Sequence, residues 1–310
     1  MAEMEHYPNF QKDNYIHPKA AWDKLRMAGA RRQNVYLYAA TGYGKTELLH
    51  RYLRRRRHIW LSGEGLTVET LQEIALPAEA TMVIDDLARV LDPAVRREIV
   101  SMLDQPGLWL VLAGRCPLPS WLTGPYVNGR LSVIPEEDLR LSEKEIAQLY
   151  LSWGVQLPRN LLEKRIIPLV EGSPLGARLL AVEMSRGSSY TEELMNDLTR
   201  KFYEYLNQAI YSEWPEEIRE MMMQLSLLEH FTIQQAEEMT GRSGVNRLLA
   251  RAAEMGNLFS FKDGGYTLRP AVIHSMKLRM ETVCDRVRKN ELLRRAGTIC
   301  EKEGNIPRAL

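Results

Sequence analysis

Cysteine is scarce: Cys116, Cys284 and Cys300 are the three in 310 residues. An odd count at wide spacing excludes a disulfide framework and a zinc ribbon, and a reducing cytoplasm is the compartment that suits it. Net charge is nearly missing too. Lys and Arg number 41 against 40 Asp and Glu, so bulk charge argues for no nucleic-acid partner. The first ten residues, M-A-E-M-E-H-Y-P-N-F, hold no apolar stretch of the kind a secretory signal needs. No apolar run reaches membrane-spanning length, so no membrane partner is expected. Internal repeats and low-complexity linkers are missing as well.

What is present is enough apolar residue, 45%, to build a real core. The chain is too long for one ordinary domain, and two or three are expected. Charge is concentrated once, at residues 51–57, R-Y-L-R-R-R-R. A solvated helix end, where cations are favoured, is the preferred reading; contact with phosphate or nucleic acid is the other.

The hydrophobic pattern divides the chain. Residues 1–15 are polar and read as an arm. Trp22, Leu25 and Met27 suggest a short amphipathic helix. Val35 to Ala39 is a short run of β-favouring residues, followed by a Gly-containing turn and then Leu48, Leu49, Tyr52 and Leu53 at helical spacing. Strand, turn, helix is the pattern. Further strands are expected at His58–Ser62, Thr81–Ile84, Leu108–Ala113 and Leu131–Ile134. Apolar strands separated by helices argue for a parallel sheet covered by helices on both faces. After Leu141 the periodicity is helical. From Pro215 onward, helices at 216–228, Ile233–Met239 and Val245–Met255 precede a hairpin, Leu258–Phe261 and Tyr266–Leu268, which is a winged-helix layout. The expected division is therefore an arm (1–15), an α/β nucleotide-binding domain (16–140), a helical domain (141–212), a winged-helix domain (213–280) and a final helical segment (281–310).

Residues 39–46 read A-A-T-G-Y-G-K-T. They match the phosphate-binding pattern G-x-x-x-x-G-K-[ST] except at Ala39. Gly42 and Gly44 let the backbone turn its N–H groups toward phosphates. Lys45 reaches the β- and γ-phosphates, Thr46 offers a hydroxyl to Mg²⁺, and the following helix directs its positive end at the same site. Tyr43 and Glu47, within and just after the run, are counted with the nucleotide-binding residues. An ordinary Gly-rich turn is the bland alternative, and the strand before and helix after argue against it. ATP or ADP with Mg²⁺ is the expected ligand.

The strand Thr81–Ile84 ends in Asp85 and Asp86. An acid at this point of a P-loop protein holds Mg²⁺; Asp85 is assigned that role, and Asp86 the polarising of attacking water. Arg115 follows the strand Leu108–Ala113, where a cation can pair with the γ-phosphate; a plain surface arginine is the alternative. Lys45, Asp86 and Arg115 are thus the catalytic candidates.

In order, A-A-T-G-Y-G-K-T, V-I-D-D, L-V-L-A-G-R-C-P-L-P, E-E-D-L-R-L-S-E-K-E-I, V-E-G-S-P-L-G-A-R-L-L-A and M-G-N-L-F-S-F-K-D-G-G-Y resemble the ATPase core of the STAND class, and more narrowly the MalT-like large LuxR-type transcriptional regulators. The resemblance runs from about Ile16 to Leu310. It implies a switch: an ADP-bound closed form, and an open, self-associating form favoured by ATP and an inducer. Gly172 and Pro174 match the G-x-P motif of the class, whose proline packs on adenine. Where the family often carries a phosphate-sensing histidine, this chain has Arg269-Pro270, with His274 beyond, and Arg269 is the candidate for that contact. The last residues, R-A-G-T-I-C-E-K-E-G-N-I-P-R-A-L, resemble the start of a helical-repeat sensor that would receive a small-molecule or protein inducer. The LuxR-type DNA-binding domain would lie beyond Leu310, so the chain is expected to be a fragment or a short member. Its ATPase is expected to be weak. A motor or loader ATPase similar to AAA+ proteins, and a DNA-binding winged helix with a vestigial P-loop, remain the alternatives. Lys45→Ala is expected to abolish nucleotide binding; an unchanged affinity in a titration refutes the assignment.

Overall fold

The computed structural model describes residues 14–186, 191–209, 211–256 and 258–302. Nearly all of the expected arm and the last eight residues lie outside these. Helix α1 (Lys19–Arg31) leads into β1 (Asn34–Tyr38), the phosphate loop and α2 (Lys45–Leu53). Then come β2 (Ile59–Ser62), α3 (Val68–Glu73), β3 (Ala80–Asp85), α4 (Pro93–Met102), β4 (Leu108–Gly114), α5 (Ser120–Val127) and β5 (Leu131–Ile134). The amphipathic helix expected around Trp22 is longer than its three markers suggested. Ala21 and Leu25 are fully buried in it, whereas Met27 is half exposed.

All five strands are parallel, in the order β2-β3-β4-β1-β5. This places β4 between the phosphate-loop strand and the acidic strand. The carboxyl ends of β1, β4 and β3 therefore face one crevice, the position where open α/β sheets bind ligands. Alternation along the strands builds two cores. Val35, Leu37, Val83 and Trp109 pack with Leu25, Leu48 and Leu49 on one face; Tyr36, Met82, Ile84 and Leu110 pack with Leu87, Ile99 and Leu122 on the other. Strands buried on both faces carry no polar alternation, which is why they read as continuous apolar runs.

One polar side chain inside this sheet is fully used. Buried Asn34 donates from Nδ2 to the carbonyls of Leu103 (2.9 Å) and Arg130 (3.3 Å), while its Oδ1 accepts from the Leu110 amide at 2.9 Å. It ties the start of β1 to both neighbouring strands.

Beyond β5 come α6 (Glu136–Leu139), α7 (Glu143–Ser152), α8 (Arg159–Leu161), a π-helical turn (Leu162–Ile166), α9 (Ile167–Val170), α10 (Pro174–Ser185) and α11 (Glu192–Ala209). The winged-helix part follows as α12 (Glu216–Leu225), β6 (His230–Phe231), α13 (Ile233–Thr240), α14 (Val245–Ala253), β7 (Phe259–Lys262), β8 (Gly265–Leu268) and α15 (Pro270–Val283), before α16 (Arg286–Lys302). Capping boxes at Ser142/Glu145 and Thr232/Gln235 start α7 and α13. The wing is three-stranded: β6 pairs with β8, opposite β7. A two-residue strand has no periodicity to read, so the sequence pattern showed a hairpin alone. The helix expected over 216–228 ends at Leu225, because Leu227 and Leu228 are apolar but lie in a turn. A single apolar core runs from Leu141 to Cys300 through the helices that follow α6.

Asn34→Ala is expected to lower the unfolding free energy by about 1–3 kcal/mol, because it strands the buried Leu110 amide. Urea denaturation measures it; a change within error shows that the Asn34 bonds do not stabilise the sheet.

Candidate nucleotide-binding site

The chain from Ala39 to Lys45 leaves β1 and loops back to open α2. Gly42 (φ 92°) and Gly44 (φ 72°) adopt the left-handed region that favours glycine. At Gly42 a Cβ would also stand 3.1 Å from the Leu175 side chain. No side chain caps the N-terminus of α2. Its first N–H groups are therefore left for an anion, whose charge the helix dipole also favours. The backbone here thus has the uncapped N–H groups that the expected cradle requires.

Lys45 is 9% exposed. Its ammonium donates to the carbonyls of Ala39 (2.7 Å) and Ala40 (3.1 Å), inside the loop. Burial pushes its pKa down to about 8, against the pull of Asp85. An ammonium so poorly solvated is poised to gain from a polyphosphate. The Thr46 hydroxyl donates to Asp85 Oδ2 at 2.7 Å, and Asp85 Oδ1 accepts from the Asp86 amide at 2.8 Å. The two residues assigned to Mg²⁺ are therefore in contact, one from each side of the crevice. A hydroxyl and a carboxylate are the hard oxygen donors that Mg²⁺ takes.

Asp86 sits in the left-handed region (φ 52°), which Asp tolerates better than most residues. Its carboxylate accepts from Arg115 Nε at 3.2 Å. Arg115 also meets Glu213 at 3.5 Å through Nη1. Glu47 faces along its own helix, pairing with Arg51 at 2.5 Å rather than turning into the loop. Pro174 opens α10, and its Cβ lies 4.0 Å from where a Cβ on Gly44 would stand. The Leu175 amide donates to the Gly42 carbonyl at 3.1 Å, so the G-S-P turn is bonded directly to the phosphate loop. Gly172 (φ 76°) makes that turn possible, since a Cβ there would be 2.8 Å from Arg140 Cβ.

Arg269 comes from the winged-helix part, at the start of α15. Its guanidinium donates to the Tyr43 hydroxyl at 3.0 Å and to Glu136 Oε1 at 2.7 Å, and lies 3.6 Å from Glu171. Burial disfavours its charge, but Tyr43 and the two carboxylates outweigh burial, and its pKa moves up. Burial likewise raises the Tyr43 pKa, against Arg269. The contact is thus to the loop itself through Tyr43. His274 is turned away, its Nδ1 on the Pro270 carbonyl at 2.8 Å.

Glu136, Glu171 and Glu213 were not singled out in the sequence. Glu136 is fully buried, and its Oε2 accepts from the Ala40 amide at 3.0 Å. It belongs to a run, E-E-D at a helix start, whose usual reading is a solvated first turn. Nothing local marks one of the three acids as buried. Where Ala40, Tyr43, Glu171, Trp214, Gly256 and Arg269 meet, a gap of about 70 Å³ remains. That is room for a few waters. Among the described residues, no helix is long and apolar enough to cross a membrane, and no cluster of three or more His, Cys, Asp or Glu could hold a metal.

Comparison with known proteins agrees with this architecture. Residues 207–270 match the MalT winged helix domain family. No curated protein matches the chain. Among solved structures, the fold is similar to the Walker-type ATPase paby2304 of Pyrococcus abyssi, at 12% identity and TM-score 0.65, over 88% of this chain and 99% of that one. It is also similar to the RuvB Holliday junction branch migration motor of Thermotoga maritima, at 18% identity and TM-score 0.50, over 84% and 95%. A STAND protein with a tetratricopeptide repeat sensor from Pyrococcus horikoshii aligns over 92% of this chain and 46% of its own, at 16% identity and a TM-score of 0.38, too low to carry weight. The chain thus joins a fold similar to that of Walker-type ATPases to a stretch, residues 207–270, that matches the MalT winged helix domain family.

Proposed function

We propose that this chain is an adenine-nucleotide switch, in which ATP or ADP bound with Mg²⁺ on the phosphate loop governs how the winged helix sits on the ATPase core. The observation that carries the reading is the bond from Arg269, on the winged-helix side, to Tyr43, in the middle of the loop. A ligand that rearranges the loop must act on that bond, and by linkage the bond must act on the ligand.

In this reading the amides of residues 42–46 and the Lys45 ammonium hold the phosphates. Thr46 and Asp85 hold Mg²⁺, which when bound offsets the phosphate charge. Asp86 orients water, and Arg115 pairs with the γ-phosphate. Pro174 flanks the base. Hydrolysis is slow, and serves to return the closed form. Self-association in the ATP form, an inducer acting through a sensor region and a role in transcription extend the reading along the family resemblance. Purified protein that releases ADP on denaturation, with turnover well below one per second, supports the switch; rapid multiple turnover with no retained nucleotide favours a motor and overturns it.

Two consequences are measurable. Lys45 has its pKa near 8 in the free protein, and phosphates would raise it. Binding then takes up a proton, and affinity is full below pH 8 and falls as pH rises through it. Between pH 7 and pH 9 the protonated fraction drops about tenfold, and ADP affinity should drop alike. A titration showing equal affinity at both pH values removes the ammonium from the site. Arg269→Ala should speed release of a fluorescent ADP analogue by about tenfold, the scale of one lost charge-assisted hydrogen bond. Unchanged release in stopped flow means that the winged helix does not gate the loop.

A further inference from the structure

We propose that Glu213 sets the preference of the site between ATP and ADP, by competing with the γ-phosphate for Arg115. This rests on the reading above that Arg115 meets the γ-phosphate.

Arg115 stands at the carboxyl end of β4, beside the acidic strand β3. Two carboxylates divide it. Asp86, from the end of β3, takes Nε at 3.2 Å, and Glu213, from the 3-10 turn Tyr211–Glu213 at the start of the winged-helix part, takes Nη1 at 3.5 Å. The two holds are unequal. Glu213 is the longer contact, and its side chain is 61% exposed against 41% for Asp86. Water screens an exposed pair and makes it weak. It is the contact that a phosphate with about two negative charges displaces first.

The neighbouring residues make that exchange consequential. The Cys116 carbonyl accepts from buried Tyr36 at 2.7 Å, and Gly114 lies against the same tyrosine, so the end of β4 is held to the sheet. The Cys116 thiol donates to the Glu254 carbonyl, at the end of α14. The Arg115–Cys116 turn thus touches the winged-helix side at two places, of which the Glu213 contact is ionic. Tyr211 and Trp214, which flank Glu213, are both buried against the winged-helix core. Exchanging Glu213 for phosphate therefore removes the ionic tie between the end of β4 and a segment anchored in that core. ADP, lacking the γ-phosphate, has no claim on Arg115 and leaves the contact standing. Glu213 in this way taxes ATP binding alone.

The experiment compares the affinities of ADP and of the non-hydrolysable ATP analogue with an imido bridge, both with Mg²⁺, in four proteins: wild type, Glu213→Ala, Arg115→Ala and the double variant. Glu213→Ala should tighten the ATP analogue by about two- to fivefold, the scale of one exposed ion pair, and leave ADP unchanged. In the Arg115→Ala background the same substitution should change neither. Glu213→Gln, which keeps the shape and removes the charge, should reproduce the effect. Equal changes for both nucleotides, or an effect that persists without Arg115, overturns the competition. If Arg115→Ala by itself leaves the ATP-to-ADP ratio unaltered, the γ-phosphate role of Arg115 is wrong, and the inference falls with it. If Arg115→Ala shifts the ratio and Glu213→Ala does not, the role of Arg115 stands and the inference alone fails.

Discussion

A carboxylate with no access to water joins the three parts of this molecule. Glu136 accepts from the Ala40 amide at the start of the phosphate loop, from Arg140 at 3.3 Å on the way into the helical part, and from Arg269 of the winged-helix part. A buried charge is costly unless paired, and removing a partner costs more than the pair itself contributes. Drawing the parts away from the loop therefore incurs a penalty for leaving Glu136 uncompensated, beside the apolar core that the helical and winged-helix parts share. Movement of the winged helix away from the loop requires either that Arg140 and the loop amide satisfy Glu136 by themselves, or that water reaches it.

The same arithmetic governs the other side of the loop. Lys45, Asp85, Asp86 and Arg115 form a small set of alternating charges around a crevice, each engaged with another or with the backbone. A polyphosphate entering there trades existing bonds for new ones. Its differential effect on the two ends of the molecule depends on which partners give way, since a ligand shifts a conformational equilibrium only by its preference for one state. Arg269 to Tyr43 crosses from the nucleotide side to the winged-helix side at the loop, and Arg115 to Glu213 and Cys116 to Glu254 cross at the end of β4.

Legibility in the sequence followed the range of the interactions. The strands Val35–Ala39, Thr81–Ile84, Leu108–Ala113 and Leu131–Ile134 stood out because both faces of each are buried. The phosphate loop stood out because its chemistry is concentrated in consecutive residues, and Asp85 because it ends an apolar strand. Glu136, Glu171 and Glu213 did not. None is marked by its immediate neighbours in the sequence, and each acquires its role from a partner 133, 98 and 98 residues away.

What the sequence by itself determined is the class of fold and the cradle: alternating apolar strands and helices, two glycines free to turn, a lysine and a threonine at fixed spacing. These are local, and a few consecutive residues carry them. The tertiary structure alone decided what faces the cradle. It set β4 between β1 and β3, brought α10 onto Gly42, and carried Arg269 across to Tyr43 and Glu136. The physical reason is that a buried ion pair is fixed by desolvation, and desolvation exists only once the distant segments have packed.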